Sequence, residues 1–458
     1  MRDRLRRVVD SLKEKGADYA DLRYENLDVT KLVIKDGEVE TIKEGKSRGL
    51  GIRTFVDGSW GYYSTNSLDC LKDKAEKALK SAKALSKSSQ KSFSLQELPM
   101  VEEKLGSEAE IEPDSLPVDQ KLAILEESER SMMKKDGIKS SKITYSDYSG
   151  RYEFLNTEGS YISKKPSHIG LWCEATAKHE DKMESYTERT GTVRGFEHVR
   201  EKDPVKMGEE AADMALNIVK APKPPSGKMP VVIGNRLGGL FAHEAVGHAA
   251  EADSVLSGDS VFEDKKGSKV ASEEVTMVDS PTLESKHGSY TYDSEGVGAE
   301  RTEVIKKGKL NKFLHSRETA SRFDEPPTGN GRADSFKGKP YPRMSNTYFE
   351  EGDHSKEDII GSIDSGIYLK GFKGGQVSTA EGNFMFRTTH AYIIEEGEVK
   401  DIVRGPSISG KTLEVLKKVS MVAGDREVGD PGYCGKRGQT VYVDTGSPHM
   451  KVDELVVG

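Results

Sequence analysis

Val231-Val232-Ile233-Gly234-Asn235-Arg236-Leu237-Gly238-Gly239-Leu240-Phe241-Ala242-His243-Glu244-Ala245-Val246-Gly247-His248 is the stretch on which the reading of the whole chain turns. Val231 to Gly234 is a short apolar run rich in β-branched residues, the composition of a buried strand. It feeds a helix expected from about Asn235 to Asp253. On that helix two imidazoles, His243 and His248, flank an apolar pair, with Glu244 directly after the first. Neutral imidazole nitrogen is a good ligand for Zn²⁺, and a catalytic site needs three protein ligands with a fourth position open. Glu244 then stands where a carboxylate can take a proton from water attacking a carbonyl and deliver it to the departing amine.

The spacing decides how that helix must be wound. At about 100° per residue, histidines five apart lie roughly 140° apart around an α-helix, against roughly 40° for the four-residue spacing of better-known zinc motifs. A regular helix would chelate poorly. The spacing therefore predicts a local widening, a π-bulge near Gly247, the residue least resistant to distortion. Two histidines and a glutamate also fall on one helix by chance, and the spacing alone balances that reading evenly against a metal site. A third ligand is required. The candidates are Glu251, Asp253, His287, His315, His390 and Cys434. Cys434 offers a soft thiolate in Gly432-Tyr433-Cys434-Gly435-Lys436-Arg437-Gly438, a loop-like context in which the glycines let the chain approach a metal. A buried free thiol is nevertheless the commoner fate of a cysteine, and composition alone favours it.

Working outward, Ala221-Pro222-Lys223-Pro224-Pro225-Ser226-Gly227 is the clearest boundary, because proline cannot continue a helix and disfavours helix before it. Before it, Met207, Ala211, Met214, Ala215 and Ile218 share one helical face; Val118 to about Lys135 reads as another helix, and Ile143–Glu153 and Gly159–Ile162 as strands. Ser86 to Pro117 lacks any sustained period and reads as a linker. The first residues carry Leu5, Val8, Val9 and Leu12 at helical spacing, with Gly16 as a stop. Short strands follow at Tyr19–Tyr24, Lys31–Ile34 and Gly51–Val56, the last turning through Asp57-Gly58 into Trp60-Gly61-Tyr62, a strong hairpin signal. After the metal motif the chain is glycine-dense and strand-like. The expected fold class is α+β: an α+β subdomain over 1–90, a linker over 91–117, a second α+β subdomain over 118–221, and a β-rich C-terminal domain over 228–458 that carries the motif helix.

At 458 residues the chain is long enough for two or three cores. Charged residues make up 32% and the net charge is −8, with both signs interspersed, so there is no basic stripe for a phosphate backbone and nucleic acid is not an expected partner. The basic start lacks an apolar h-region, and no stretch reaches the length of a membrane span, which points to a cytoplasmic protein. Three widely separated cysteines, Cys70, Cys173 and Cys434, do not make a disulfide framework.

Several longer motifs then fall into one order: Gly51-Ile52-Arg53 with Asp57-Gly58-Ser59-Trp60-Gly61, the His243 to His248 motif with Glu251-Ala252-Asp253, Asp293-Ser294-Glu295-Gly296, Tyr341-Pro342-Arg343-Met344-Ser345-Asn346-Thr347, Gly374-Gly375-Gln376-Val377, and Cys434-Gly435-Lys436-Arg437-Gly438-Gln439. Across essentially its whole length the chain resembles the TldD type of the TldD/PmbA peptidases. That resemblance implies Zn²⁺ held by His243, His248 and Cys434, with Glu244 as the catalytic carboxylate. It further implies action on peptides or unfolded segments in an enclosed two-subunit chamber, as a homodimer or as a heterodimer with a PmbA-type subunit that lacks the metal motif. Gly374 to Val377 reads as a turn or as a strand edge able to take an extended peptide. Arg343 and Tyr341 read as interdomain contacts or as groups steadying an oxyanion. Two other readings stay open: a cysteine hydrolase with Cys434 as nucleophile and His243 or His248 as base, and a peptide-binding protein with a purely structural metal.

Overall fold

The computed structural model describes residues 1–88 and 93–458. The N-terminal half is built on three unusually long antiparallel strands, β1 (Tyr19–Lys35), β2 (Glu38–Val56) and, after β3 (Ser59–Thr65) and the short β4 (Glu102–Leu105), β5 (Ile138–Asn156). With β6 (Tyr161–Lys164), β7 (Ser167–His179) and β8 (Lys182–Thr192) they form one eight-stranded sheet in the order β3-β2-β1-β5-β6-β4. β7 pairs with the first half of β5, and β6 with the second half along the same edge. Asp57 and Gly58 take φ of 44° and 78°, the positive pair that the expected tight hairpin between β2 and β3 demands.

Alternation explains how this sheet is used. Even-numbered residues of β1, namely Ala20, Leu22, Tyr24, Leu32 and Ile34, point into two apolar cores on one face. Helices Arg2–Glu14 and Leu71–Ser86 cover one end through Leu5, Val9, Ala75 and Leu79, and helices Val118–Met133 and Pro204–Lys220 cover the other through Leu125, Met207, Ala211 and Ile218. The odd-numbered residues of β1 are polar near its start, and they meet the C-terminal half. Arg53 donates to Asp21 at 2.9 and 2.5 Å and to Glu295 at 2.6 Å, and Arg23 donates to the carbonyls of Ser335 and Gly338. Buried pairs of this kind fix which surfaces dock more than they add stability.

In the C-terminal half the expected strand at Val231 runs over Gly227–Ile233. It lies inside a nine-stranded sheet between Met450–Val457 and Ser365–Lys370. A six-stranded sheet ends on Gln439–Ser447 and, at its edge, Glu427–Lys436. The motif helix shares one core with strands of both sheets. Phe241, Ala245, Val246 and Ala249 are buried with Met277, Val304 and Phe349 of the smaller sheet and Leu369, Phe384, Phe386 and Ile408 of the larger. Helices and mixed sheets throughout make the fold α+β, as expected.

Candidate metal centre

The helix after Ile233 is α-helical over Asn235–Phe241, winds as a π-helix over Ala242–Gly247, and closes with one short α segment over His248–Ala250. The predicted widening is therefore present and spans the motif from His243 to Gly247. With i→i+5 bonding each turn holds more residues, so residues five apart lie much closer in azimuth than on an α-helix, and the His243 and His248 rings stand 5.1 Å apart, edge to face at 84°. The helix stops earlier than the expected Asp253. Glu251 is extended (ψ 117°), and the chain is stitched to Leu314 by hydrogen bonds from Leu314 N to Ala250 O (2.9 Å) and from Ala252 N to Leu314 O (3.0 Å).

Gly247 is required for a reason other than backbone freedom, since its φ and ψ of −60° and −50° are ordinary for any residue. A Cβ at this position would lie 1.9 Å from Met344 Sδ, and Met344 is fully buried. Gly247→Ala is expected to cost about 1–3 kcal/mol by overpacking, read as a lowered urea midpoint. A Gly247→Ala change that costs as much in a Met344→Ala background as in the parent would show that the steric account is wrong.

Cys434 arrives from the far end of the sequence. It lies not in a loop but in the edge strand Glu427–Lys436, paired with Val441, and is only 2% exposed; the turn falls later, at Arg437 and Gly438, whose φ are 50° and 75°. Alternation sends Tyr433 to the other side, where it stacks on Trp172 at 5.2 Å, and turns Cys434 toward the motif. Cys434 Sγ lies 3.6 Å from His248 Nε2, and donor atoms of His243, His248 and Cys434 all lie within 4.8 Å of one another.

The surrounding charges hold this arrangement. Burial raises the Cys434 thiol, but the imidazoles of His243 and His248 outweigh it and keep the sulfur well below the usual thiol range. Burial likewise disfavours charge on His248, yet Glu251 and Cys434 raise it well above an ordinary histidine. His248 Nδ1 is 3.1 Å from Glu251 Oε2, which leaves Nε2 toward the sulfur. Glu251, 1% exposed, is itself held down to about 2 against its burial by His248 and by Lys436, whose ammonium donates to it at 2.9 Å. Arg343, completely buried, donates to the Cys434 carbonyl. Glu244 Oε2 lies 3.8 Å from His248 Nε2, and its side chain is 36% exposed, which makes it the member of the group that faces solvent.

The other third-ligand candidates do not join the cluster. Asp253 binds Lys436 Nζ at 2.6 Å; His315 Nδ1 and His390 Nδ1 lie 3.2 and 2.9 Å from the hydroxyls of Thr319 and Thr389. His287 packs against His168 and Tyr442, with ring centroids 4.2 and 5.2 Å away. Tyr341 stacks under Arg437 at 4.7 Å. Glu251 instead contacts His248 Nδ1, and Arg343 contacts the carbonyl of Cys434. Both contacts depend on the fold, though the i, i+3 placement of Glu251 after His248 was a usable signal.

Two imidazoles and a thiolate converging on one point, beside a solvent-facing carboxylate, define the donor set of a metal-dependent hydrolase. Three family models match in order: PmbA/TldA metallopeptidase domain 1 over residues 20–82, the central domain over 111–218 and the C-terminal domain over 226–458. The chain belongs to the PmbA/TldA metallopeptidase family. It is 39% identical over 440 residues to a metalloprotease of Methanocaldococcus jannaschii, covering 96% of each chain. It is 28% identical to a zinc metalloprotease TldD homolog of Saccharolobus solfataricus, covering 99% of each. The fold matches a crystal structure from Thermotoga maritima described as a modulator of a DNA gyrase, with a TM-score of 0.80 at 22% identity over the full length of both chains.

Proposed function

We propose that this metallopeptidase holds one Zn²⁺ on His243, His248 and Cys434 and cuts peptides or unfolded segments with Glu244 as general base. The observation that carries the reading is the convergence of the three donors. With Zn–N near 2.0–2.1 Å and Zn–S near 2.3 Å, a tetrahedral site separates nitrogen from sulfur by about 3.6 Å, which is the Cys434 to His248 distance. His243 Nδ1, buried and without a hydrogen-bond partner among the described residues, fits a ring whose role lies in the cluster. A bound zinc ion supplies Lewis acidity and an open position at which water ionises near neutral pH. Glu244 accepts the proton of the attacking water and returns it to the leaving amine. Glu251 fixes the tautomer of His248, Lys436 balances Glu251, and Arg343 pins the strand that carries Cys434. Glu251→Gln is expected to weaken zinc binding about 10–100-fold, measured by competition with a chromophoric chelator; unchanged affinity would remove Glu251 from this role.

Residues Gly374–Ser378 form a strand at the edge of the nine-stranded sheet, beside a cleft of about 1090 Å³ that Trp172, Arg189 and Tyr433 also line. An extended substrate there takes main-chain hydrogen bonds whatever its sequence. The working unit we infer is a cytoplasmic dimer, either of two copies or with a PmbA-type subunit, in which this chain supplies the metal donors. Among the described residues no helix is long and apolar enough to cross a membrane.

A thiolate beside a raised imidazole is also what a cysteine nucleophile presents. Cys434, however, is 2% exposed and is shared by two histidines where a nucleophile needs one base and an open face. Chelation followed by zinc repletion separates the two readings. Activity on an unfolded peptide, assayed with any partner subunit present, is expected to vanish with the metal and return with it. Full activity in metal-free protein, lost on alkylation of Cys434, would establish the cysteine mechanism instead.

A further inference from the structure

The cleft of about 1090 Å³ beside Gly374–Ser378 carries a charge opposite to that of the whole chain. The protein is acidic, with a net charge of −8. Six cations nevertheless line this space, Lys31, Lys142, Arg189, Arg236, Lys373 and Arg387, against one carboxylate, that of Glu174. Acids just behind the lining neutralise part of the excess. Arg189 donates from Nε to Asp430 at 2.6 Å, Arg236 donates to Asp430 at 3.0 Å and reaches Glu188 at 3.4 Å, and Lys373 pairs with Glu184. With Asp430, Glu188 and Glu184 set beside Glu174, four negative charges still face six positive ones.

Strand register shows where the remainder sits. Glu174 stands directly across the ladder from Lys142. Lys31 has Lys43 opposite it on one side and Ser146 on the other, and Arg387 lies between Gly374 and Ser407. Directly opposite residues share a face of a sheet, so neither Lys31 nor Arg387 meets an acid from its neighbouring strands, and neither is ion-paired among the described residues. The two belong to different walls. Lys31 rises from the polar face of β1, whereas alternation along Asn383–Arg387 buries Phe384 and Phe386 and turns Met385 and Arg387 outward. Met385 and Tyr433, 52% and 47% exposed, add apolar contact between them.

A cleft focuses the field of the charges that line it, so this one favours an anion. A strand of nucleic acid brings a phosphate about every 3.4 Å, more charge than two free cations answer. An extended polypeptide with a few carboxylate side chains matches both the surplus and the strand edge. We propose that the cleft selects segments rich in Asp and Glu, with Lys31 and Arg387 setting the preference; this rests on the reading of the cleft as the substrate channel.

The probes are three fluorescent peptides of one length, with Glu, Gln or Lys at the same alternate positions, titrated into zinc-loaded full-length Glu244→Gln protein. Anisotropy reports binding, and in a Trp60→Phe background the emission of Trp172 reports occupancy of this cleft. The Glu peptide is expected to bind about tenfold tighter than the Gln peptide at low salt, a margin that shrinks as salt rises. Lys31→Glu/Arg387→Glu should reverse the order in favour of the Lys peptide, with zinc content unchanged. Equal binding of the three peptides with Trp172 responding, or an unchanged order in the double variant, would overturn the acidic preference and leave the channel standing. Binding that leaves Trp172 unmoved, or no binding of any peptide, would overturn the channel and the preference together. A single-stranded oligonucleotide that binds tighter than the Glu peptide on the same signal would reassign the cleft. Should the double variant fail to fold, the parent decides: a Glu-over-Gln margin lost at high salt supports the inference, and one that persists overturns it.

Discussion

Cys434→Ser is expected to emerge from purification with almost no zinc and almost no peptidase activity, where the parent carries about one ion per chain. The three donors come from two places about 190 residues apart: a helix that fixes both imidazoles and a strand that brings the sulfur within 3.6 Å of one of them. Perturbing a group that merely orients a ligand costs about 10–100-fold in affinity, so replacing the thiolate itself by a neutral hydroxyl should cost more than about a hundredfold. Serine is smaller and fits the same buried strand position, so the loss should appear with an unchanged circular dichroism spectrum. Elemental analysis decides the matter. A Cys434→Ser protein retaining stoichiometric zinc after dialysis would mean that the sulfur is not a ligand.

Glu244→Gln should do the opposite: full zinc, intact fold, and kcat down by about 10²–10⁴ with little change in KM. Its side chain is 36% exposed beside His248, so the free energy of unfolding should change by less than about 0.5 kcal/mol. The amide keeps the shape and removes the basicity. Turnover at the parental rate in a zinc-replete Glu244→Gln protein would assign the proton transfer elsewhere.

The sequence showed the site more clearly than the scaffold that holds it. The five-residue spacing of His243 and His248 demanded a widened turn on arithmetic alone, and the π-helix over Ala242–Gly247 supplies it. The cysteine was legible through the family resemblance, but its setting was not: Gly429, Gly432 and Gly435 look like loop, yet they lie along an edge strand where small residues are tolerated. The length of β1 was hidden for a related reason. Its middle, Asn26 to Thr30, is partly exposed and mixes polar with apolar residues, so two short runs on either side read as two strands. What makes it one strand is continuous pairing with β2 and β5, a non-local fact. The motifs around Arg53 and Glu295 were each visible, but only folding shows that they meet in a single ion-paired contact.

The widened turn has a consequence for how firmly the two imidazoles are held on one side of the helix. A π segment can rewind to α by passing its surplus residue toward one end, and such a slip would swing His248 about 100° out of line. Two stops oppose the slip: Met344 wedged against Gly247, and the peptide groups on either side of Glu251 clasped to Leu314. Side-chain packing at one end and backbone bonds at the other thus lock the surplus residue in place, and the two rings keep their common side of the helix.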